Sequence, residues 1–288
     1  MKIIDKLQGP EPVFSFEFFP PKNAEGVDRL FQTLAELGPY KPGYVSVTYG
    51  AGGSTQNVTV DLVRRIRSEL GLDAMAHLTC VDASAEELES VLQDLHDAGV
   101  ENVLPLRGDA PRGQKEFRAS PGGFSYASEL VTLAKEKFDF CLAGACYPET
   151  HTDAASAESD LENLKKKVDS GIDFLITQLF FDNADYFRFV DKVRACGIDV
   201  PIVAGIMPVT NVAQLKRFTQ MCGARIPQPL LDRLEPHAED LSRVRKIGVE
   251  HATAQCEELL KNGTAGVHFY TLNRSLATRE ILDNIRSK

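Results

Sequence analysis

The chain has 288 residues, of which 43% are hydrophobic and 25% are charged, so its composition is that of a globular protein and excludes a fibrous or disordered class. This length suits either two domains of ordinary size or one barrel of about 250 residues. The formal net charge of −9, without a run of basic residues, argues against nucleic acid as a partner, although a local pocket can still bind a small anion.

Local patterns also indicate the cellular compartment in which the protein is expected. Its start lacks the long apolar core of a signal peptide, and no stretch approaches the roughly 18 apolar residues of a membrane helix. The six cysteines are scattered, and none forms a C-x-x-C pair. We therefore expect reduced, mostly buried thiols, no metal site, no contact with a membrane and a cytoplasmic location.

Short apolar strands alternate with amphipathic helices along the chain. The predicted strands are Val13–Pro20, Tyr44–Gly50, Ala74–Cys80, Asn102–Asp109, Phe140–Tyr147, Phe174–Phe181, Pro201–Pro208 and Val267–Asn273. A helix is predicted after each strand, at 25–37, 56–70, 85–98, 126–137, 156–170, 183–196, 211–221 and 275–286. Ser84 and Glu87 have the spacing of a capping box. A left-handed C-cap favours glycine, and four glycines follow helical runs: Gly71, Gly99, Gly171 and Gly197.

Eight strand–helix units in a chain of this length predict an α/β fold, a (β/α)8 TIM barrel. The stretch 223–262 is predicted to be an extra helical insert before the last strand. Because no low-complexity linker divides the chain, we expect a single catalytic domain over 1–288, with a core of about 12–286. A doubly wound open sheet is the alternative, and the lack of a break near the midpoint counts against it.

The predicted strands become polar at their carboxyl ends, where barrel enzymes carry their chemistry. Glu17 ends the first strand, and alternation places Ser15 and Glu17 on one face and the phenylalanines on the other. A carboxylate on so apolar a strand needs a reason, because burying an unpaired charge is costly. One interpretation is a salt bridge with Arg107 or Arg274 at the barrel rim. The other is a general acid whose pKa is raised by burial beside the phenylalanines.

A glycine-rich cluster, Gly50-Ala-Gly-Gly-Ser-Thr55, follows the second predicted strand. It lacks the third glycine of the dinucleotide fingerprint, so a strand-to-helix turn is the simpler interpretation. Its backbone N–H groups remain suited to a phosphate or a flavin edge. Further along, Asp160, Asn163 and Lys167 share one helical face. That face is either solvated or a set of donors and acceptors for a ribityl chain or a phosphate.

Eight motifs, taken in chain order, resemble the strand ends of methylenetetrahydrofolate reductase. They are Phe14-Ser-Phe-Glu-Phe-Phe-Pro-Pro21, Val45-Ser-Val-Thr-Tyr-Gly-Ala51, Ala76-His-Leu-Thr-Cys80, Leu106-Arg-Gly-Asp-Ala-Pro111, Tyr147-Pro-Glu-Thr-His151, Ile176-Thr-Gln178, Gly205-Ile-Met-Pro208 and His268-Phe-Tyr-Thr-Leu-Asn-Arg274. The resemblance covers about 12 to 286 and is to the short bacterial type. It implies a (β/α)8 barrel that reduces 5,10-methylenetetrahydrofolate to 5-methyltetrahydrofolate with NADH or NADPH, through FAD and by a ping-pong mechanism. It also implies a homo-oligomer and a supply of methyl groups for methionine synthesis.

The resemblance further implies residue roles. Glu17 would be the general acid that protonates folate N10 and opens the imidazolidine ring, and Asp109 would favour the cationic iminium and tune the flavin. The implied substrate-binding residues are Glu17, Asp109, Gln178, Gln214, Phe218 and Arg274. The implied FAD-binding residues are Thr48, Tyr49, Ala51, His77, Arg107, Gly108, Asp109, Tyr126, Ala127, Tyr147, His151, Asp160, Asn163, Lys166 and Lys167. No metal is implied.

Two other functions stay open at this point. One is a flavin barrel that receives electrons from a partner protein instead of NADH or NADPH. The other is a barrel that binds folate or flavin without turnover, against which the retained Glu17, Asp109 and Gln178 count. The loop Arg112–Phe124 and the Gly50-Ala-Gly-Gly-Ser segment depart from the usual family pattern.

Overall fold

The structure, a computed structural model, describes residues 1–49, 56–110, 113 and 117–287. In these residues eight parallel strands form one sheet: β1 (Val13–Phe18), β2 (Tyr44–Val47), β3 (Ala74–Thr79), β4 (Asn102–Leu106), β5 (Cys141–Cys146), β6 (Phe174–Thr177), β7 (Ile202–Ile206) and β8 (Gly266–Tyr270). Each strand pairs with its sequence neighbours, and β8 pairs with β1 to close the barrel. The predicted (β/α)8 barrel is confirmed, and the open-sheet alternative is wrong.

Helices alternate with these strands. They are α1 (Ile3–Leu7), α2 (Ala24–Leu37), α3 (Gln56–Leu70), α4 (Ala85–Asp97), α5 (Ala127–Lys137), α6 (Ala157–Asp169), α7 (Asn183–Ala195), α8 (Val212–Cys222), α9 (Gln228–Leu234), α10 (Leu241–Lys261) and α11 (Leu276–Arg286). All eight predicted helices are present. Helices α9 and α10 precede β8, which confirms the predicted insert, whereas the short helix α1 was not predicted. In the described part of the chain, no helix is long and apolar enough to cross a membrane.

Local sequence signals explain several helix ends. The Ser84 hydroxyl accepts a hydrogen bond from the Glu87 N–H, and the Glu87 carboxylate accepts one from the Ser84 N–H, as the capping-box spacing predicts. The four glycines predicted to end helices adopt left-handed φ angles: Gly71 (65°), Gly99 (73°), Gly171 (121°) and Gly197 (72°). Both predictions are confirmed.

Two apolar layers surround the strands. The outer layer lies between strands and helices and contains Phe16 and Phe18, which are fully buried. The inner layer fills the barrel with side chains such as Tyr44, Met75 and Phe174. Alternation along β1 therefore sends the phenylalanines outward and leaves the intervening polar residues inside the barrel. This arrangement places Glu17 at the carboxyl end of the barrel, where the site begins.

Several predicted strands extend beyond the observed ones at the carboxyl end. Leu179, Phe180 and Phe181 follow β6 and are buried, but they pack against helices instead of continuing the ladder. An apolar run alone cannot separate a strand from a buried loop that leaves it. Gly50, the predicted end of the second strand, lies outside the described residues.

Candidate active site

Glu17 lies at the end of β1, and its carboxylate faces two histidines. Its Oε2 atom is 3.3 Å from His268 Nε2 and 3.6 Å from His77 Nε2, and its side chain is only 11% exposed. In the described part of the chain these imidazoles, and not the guanidinium groups of Arg107 or Arg274, lie within 4 Å of its carboxylate. The interpretation of Glu17 as part of a salt bridge at the barrel rim is therefore wrong.

The electrostatic surroundings of Glu17 also differ from the expectation. Burial raises the pKa of Glu17, but the hydrogen bond from His268 and the interactions with both imidazoles lower it, and the net direction is downward. The expectation of a raised pKa is therefore wrong for this structure. The phenylalanines lie on the other face of β1, and the group beside the carboxylate comes from β8, 251 residues further along the chain.

His77 extends from β3 toward the same carboxylate and is buried. Burial lowers the pKa of His77 to about 4, so its imidazole is neutral at physiological pH. Among the described residues, its Nε2 atom has no hydrogen-bond partner. A buried polar atom without a partner is costly, so a ligand that bonds to it would gain affinity.

The backbone at the end of β1 is held by the residues that follow β8. The Thr271 hydroxyl donates to the carbonyl oxygen of Glu17 at 2.6 Å. The Asn273 side chain accepts from the Phe19 N–H at 2.8 Å and donates to the Phe19 carbonyl oxygen at 2.9 Å. Leu272 and Asn273 both adopt left-handed φ angles, of 52° and 58°, which turn the chain back toward β1. These contacts fix the position from which the Glu17 side chain extends.

Residues after β4 form a second part of the rim. The Arg107 guanidinium pairs with the Asp153 carboxylate at 2.6 Å, and its Nε atom donates to the Gly108 carbonyl oxygen at 3.2 Å. Gly108 has a φ of 86°, and a Cβ there would lie 2.4 Å from a methyl carbon of Val81. Glycine is therefore required at this turn, which orients Arg107 and leads to the exposed Asp109.

Four predicted flavin-binding residues from the loop after β5 and from α6 also lie in this part of the rim. The rings of Tyr147 and His151 lie 4.5 Å apart in an edge-on arrangement, and the Asp160 carboxylate accepts from the His151 N–H at 2.9 Å. Lys167 donates to the Ala145 carbonyl oxygen, and burial lowers the pKa of its ammonium group. The rim beyond β5 therefore presents an aromatic surface beside a carboxylate and a half-buried cation.

The other predicted flavin-binding residues in the described part of the chain lie after β2, at the start of α5 or on α6. Thr48 and Tyr49 follow β2, and Tyr126 precedes α5 with 64% of its surface exposed. The remaining four are Ala127 at the start of α5, the exposed Asn163 and Lys166 on α6, and Ala51, which lies outside the described residues.

The predicted substrate-binding residues Gln214 and Arg274 line one cavity of about 430 Å³. Phe218 lies one turn after Gln214 on α8, and the Arg217 guanidinium lies 5.3 Å from its ring centre. Gln178 directly follows β6, and its side-chain oxygen accepts from the adjacent Leu179 N–H at 2.9 Å. The cavity therefore combines amide and guanidinium donors with an adjacent aromatic ring.

The sequence interpretation assigned no role to several polar side chains beside Glu17. Ser15, Ser46 and His268 are fully buried inside the barrel. Tyr270 lies two residues after His268 on β8, so both side chains are on the same face of the strand. The signal that could have found them is the alternation that identified Glu17. Phe269 faces the outer layer, so its neighbours on β8 face the interior.

Comparisons with known proteins show which sequences this chain is similar to. The sequence profile of the methylenetetrahydrofolate reductase family matches residues 2–286. Methylenetetrahydrofolate reductase (NADH) 1 of Arabidopsis thaliana is 39% identical over 99% of this chain, which spans about half (51%) of the length of that relative. The 5,10-methylenetetrahydrofolate reductase of Escherichia coli (strain K12) is 41% identical over 91% of this chain and 86% of its own length.

Solved structures with low sequence identity share the fold. An uncharacterized protein from Clostridium thermocellum, described as binding two copies of 5-methyl-5,6,7,8-tetrahydrofolic acid, has a TM-score of 0.65 and 13% identity. The match covers 99% of this chain and 96% of that one. At this identity the likeness concerns the barrel alone.

Proposed function

The chain belongs to the methylenetetrahydrofolate reductase family, and from this premise we propose that it reduces 5,10-methylenetetrahydrofolate to 5-methyltetrahydrofolate, with NADH as electron donor and FAD as cofactor. The observation that carries the proposal is the family match over residues 2–286. Relatives named for NADH support this donor over NADPH. We further propose that residues 1–288 act as one catalytic domain, with a core of about 12–286, in a homo-oligomer.

The donor set at the rim suits FAD. His77 offers a buried nitrogen without a partner among the described residues, and Arg107 and Lys167 offer cationic donors for phosphate or carbonyl oxygens. Asp160 is suited to ribityl hydroxyls, and the exposed Tyr126 ring offers an aromatic surface. When bound, FAD would supply hydride transfer between the nicotinamide and the folate.

Glu17 would provide the proton that the folate reaction needs. Opening the imidazolidine ring requires a proton on N10 and leaves a cationic iminium at N5. A bound pterin would exclude the remaining water from the Glu17 carboxyl and so favour its neutral, proton-donating form. Asp109, beyond β4, would stabilise the positive charge of the iminium electrostatically.

The cavity beside α8 would receive the other end of the folate. Its Gln214 amide and Arg274 guanidinium are suited to the carboxylates of the glutamate tail. Phe218 would stack on the aromatic ring of the substrate, and Gln178 would hydrogen-bond the pterin. Because one cleft would serve both substrates in turn, this arrangement is consistent with a ping-pong order.

The test is a spectrum of the purified protein followed by two anaerobic additions. A flavin band that NADH bleaches and methylenetetrahydrofolate restores would support the proposal. A flavin band that NADH leaves unchanged would instead indicate a partner protein as electron donor. Absence of a flavin band, even after addition of FAD, would contradict the proposed function.

The variant Glu17→Gln separates the two half-reactions. We expect reduction by NADH to stay at the wild-type rate, whereas reoxidation by methylenetetrahydrofolate should slow by about 10²- to 10⁴-fold, because the amide cannot donate the required proton. Stopped-flow absorbance of the flavin measures both rates. Glu25→Gln, at an exposed carboxylate on α2, is the matched control and should change neither rate. Unchanged folate turnover in Glu17→Gln would disprove the assigned role.

A further inference from the structure

Glu17 is surrounded by titratable side chains from three other strands. His268 and Tyr270 approach from β8, His77 from β3 and Tyr44 from β2. Burial raises the pKa of both tyrosines well above the physiological range, so they stay neutral. His268 is the one in hydrogen-bond contact with the carboxylate. The state of this imidazole therefore has the most direct effect on Glu17.

The His268 ring is packed against two aromatic rings and contacted at both nitrogens. The Tyr44 ring stacks on it at 5.8 Å, and the Tyr270 ring meets it edge-on at 5.5 Å. Its Nδ1 atom lies 2.7 Å from the Ser15 hydroxyl oxygen, and its Nε2 atom lies 3.3 Å from Glu17 Oε2 and 3.4 Å from the Ser46 hydroxyl oxygen. A buried ring with these contacts has little freedom to rotate.

An ionised Glu17 carboxylate can only accept a hydrogen bond. The arrangement that bonds it therefore places the imidazole proton on Nε2, and Nδ1 then accepts from the Ser15 hydroxyl. The chain of bonds therefore runs from the Ser15 hydroxyl through the imidazole to Glu17 Oε2.

We propose that His268, oriented by Ser15, is a positioning residue that fixes the Glu17 side chain and sets the pH at which its carboxyl group is protonated. This inference rests on the proposed function, in which Glu17 is the general acid. Burial alone would keep the carboxyl neutral over a wide pH range, and the imidazole N–H opposes this by stabilising the carboxylate. The hydrogen bond from His268 lowers the pKa of Glu17 in this structure, in agreement with that role.

The first test is a direct titration of Glu17 by NMR in protein labelled with ¹³C at the glutamate carboxyl carbon, with Glu17→Gln used to assign its resonance. In His268→Leu, we expect the pKa of Glu17 to rise by about one pH unit or more, because a donor to the ionised form is lost. In His268→Gln, the side-chain amide N–H should restore much of the shift. An unchanged pKa in His268→Leu, or equal values in the two variants, would overturn the proposal.

Two further variants separate a specific effect on Glu17 from a general loss of structure. His251→Leu removes a histidine of α10 that contacts the Phe181 carbonyl oxygen, and it should leave the Glu17 titration unchanged. Ser15→Ala keeps the imidazole but removes the partner of Nδ1, so the pKa of Glu17 should rise by less than in His268→Leu. If His268→Leu does not fold, Ser15→Ala decides, and an unchanged pKa there would overturn the proposal.

Kinetics separate this inference from the proposed function. In His268→Leu, the rate of flavin reoxidation by methylenetetrahydrofolate should stay high to a more alkaline pH than in the wild type, whereas reduction by NADH should keep its pH profile. If the wild-type flavin is not reoxidised by the folate at all, the proposed function fails. The titration of Glu17 still decides the role of His268 in that case.

Discussion

Gly205 on β7 illustrates how closely single residues are packed beside the site. A Cβ at this position would lie 2.2 Å from the Thr177 carbonyl oxygen and 2.8 Å from a ring carbon of Tyr270. That same carbonyl oxygen accepts a hydrogen bond from the Tyr270 hydroxyl at 2.7 Å. Glycine here leaves room for the Tyr270 side chain to reach past β7 to the end of β6, and this contact holds Tyr270 near Glu17.

We therefore predict that Gly205→Ala lowers the free energy of unfolding by about 1 to 3 kcal/mol, because the added methyl group forces the backbone and Tyr270 apart. Urea denaturation followed by circular dichroism measures the change. Gly38→Ala is the matched control, since a Cβ there meets nothing within 4 Å and its φ is −52°. That variant should be neutral or slightly stabilised. Equal stability of the two variants would contradict the account of packing at Gly205.

At the scale of elements, the short helix α1 closes the amino-terminal end of the barrel. Ile3 is fully buried and Leu7 is nearly so, and both belong to the apolar layer inside the barrel. The Ile3 N–H donates to the Asn102 side chain at 2.8 Å, and the amino terminus pairs with Asp73 at 2.8 Å. Five residues thus cover interior side chains that would otherwise contact water.

Truncation of the Ile3 side chain should reveal this role. We expect Ile3→Ala to lower the free energy of unfolding by about 2 to 5 kcal/mol, because it leaves a cavity under the barrel. Ile4→Ala, in the same helix but at a partly exposed position, should cost clearly less. Chemical denaturation of both variants provides the comparison. A larger loss in Ile4→Ala would show that α1 does not close the barrel as described.

Helix α1 also shows how much of the fold could be predicted from the sequence. The longer helices were predictable because each repeats an apolar face over several turns, and the strands because they are short and apolar. Helix α1 has two buried positions in five residues, too few to define a period, and those positions are buried only because the barrel is already closed. Glu17 was found by alternation along its own strand. Its contact with His268 depends on the closure of β8 against β1, which no local pattern encodes.

At the scale of the whole molecule, three buried or half-buried histidines couple stability to pH. Burial lowers the pKa of His77 to about 4 and also lowers the pKa values of His151 and His251. They lie on β3, in the loop after β5 and on α10, so the effect is spread over the barrel. In the unfolded chain each histidine titrates near its ordinary pKa of about 6.5. The unfolded state therefore binds more protons than the folded state just below that pH.

The sign of the pH dependence follows from this difference. The contribution of His77 is fully present above about pH 6.5 and is lost as the pH falls toward 4, at up to about 1.4 kcal/mol per pH unit. We therefore predict that the FAD-free protein loses stability on acidification from pH 6.5 to 5. Glu149, whose pKa is raised mainly by burial, acts in the opposite direction near the lower end of this range.

Comparison of variants isolates the contribution of His77 from that of Glu149. His77→Gln stays neutral at every pH, so its free energy of unfolding should fall less steeply between pH 6.5 and 5 than that of the wild type. His96→Gln, at a histidine whose side chain is 56% exposed, should keep the wild-type slope. Urea denaturation at several pH values supplies the slopes. Equal slopes for His77→Gln and the wild type would mean that the buried imidazole beside Glu17 takes up protons as readily in the folded protein as in the unfolded chain.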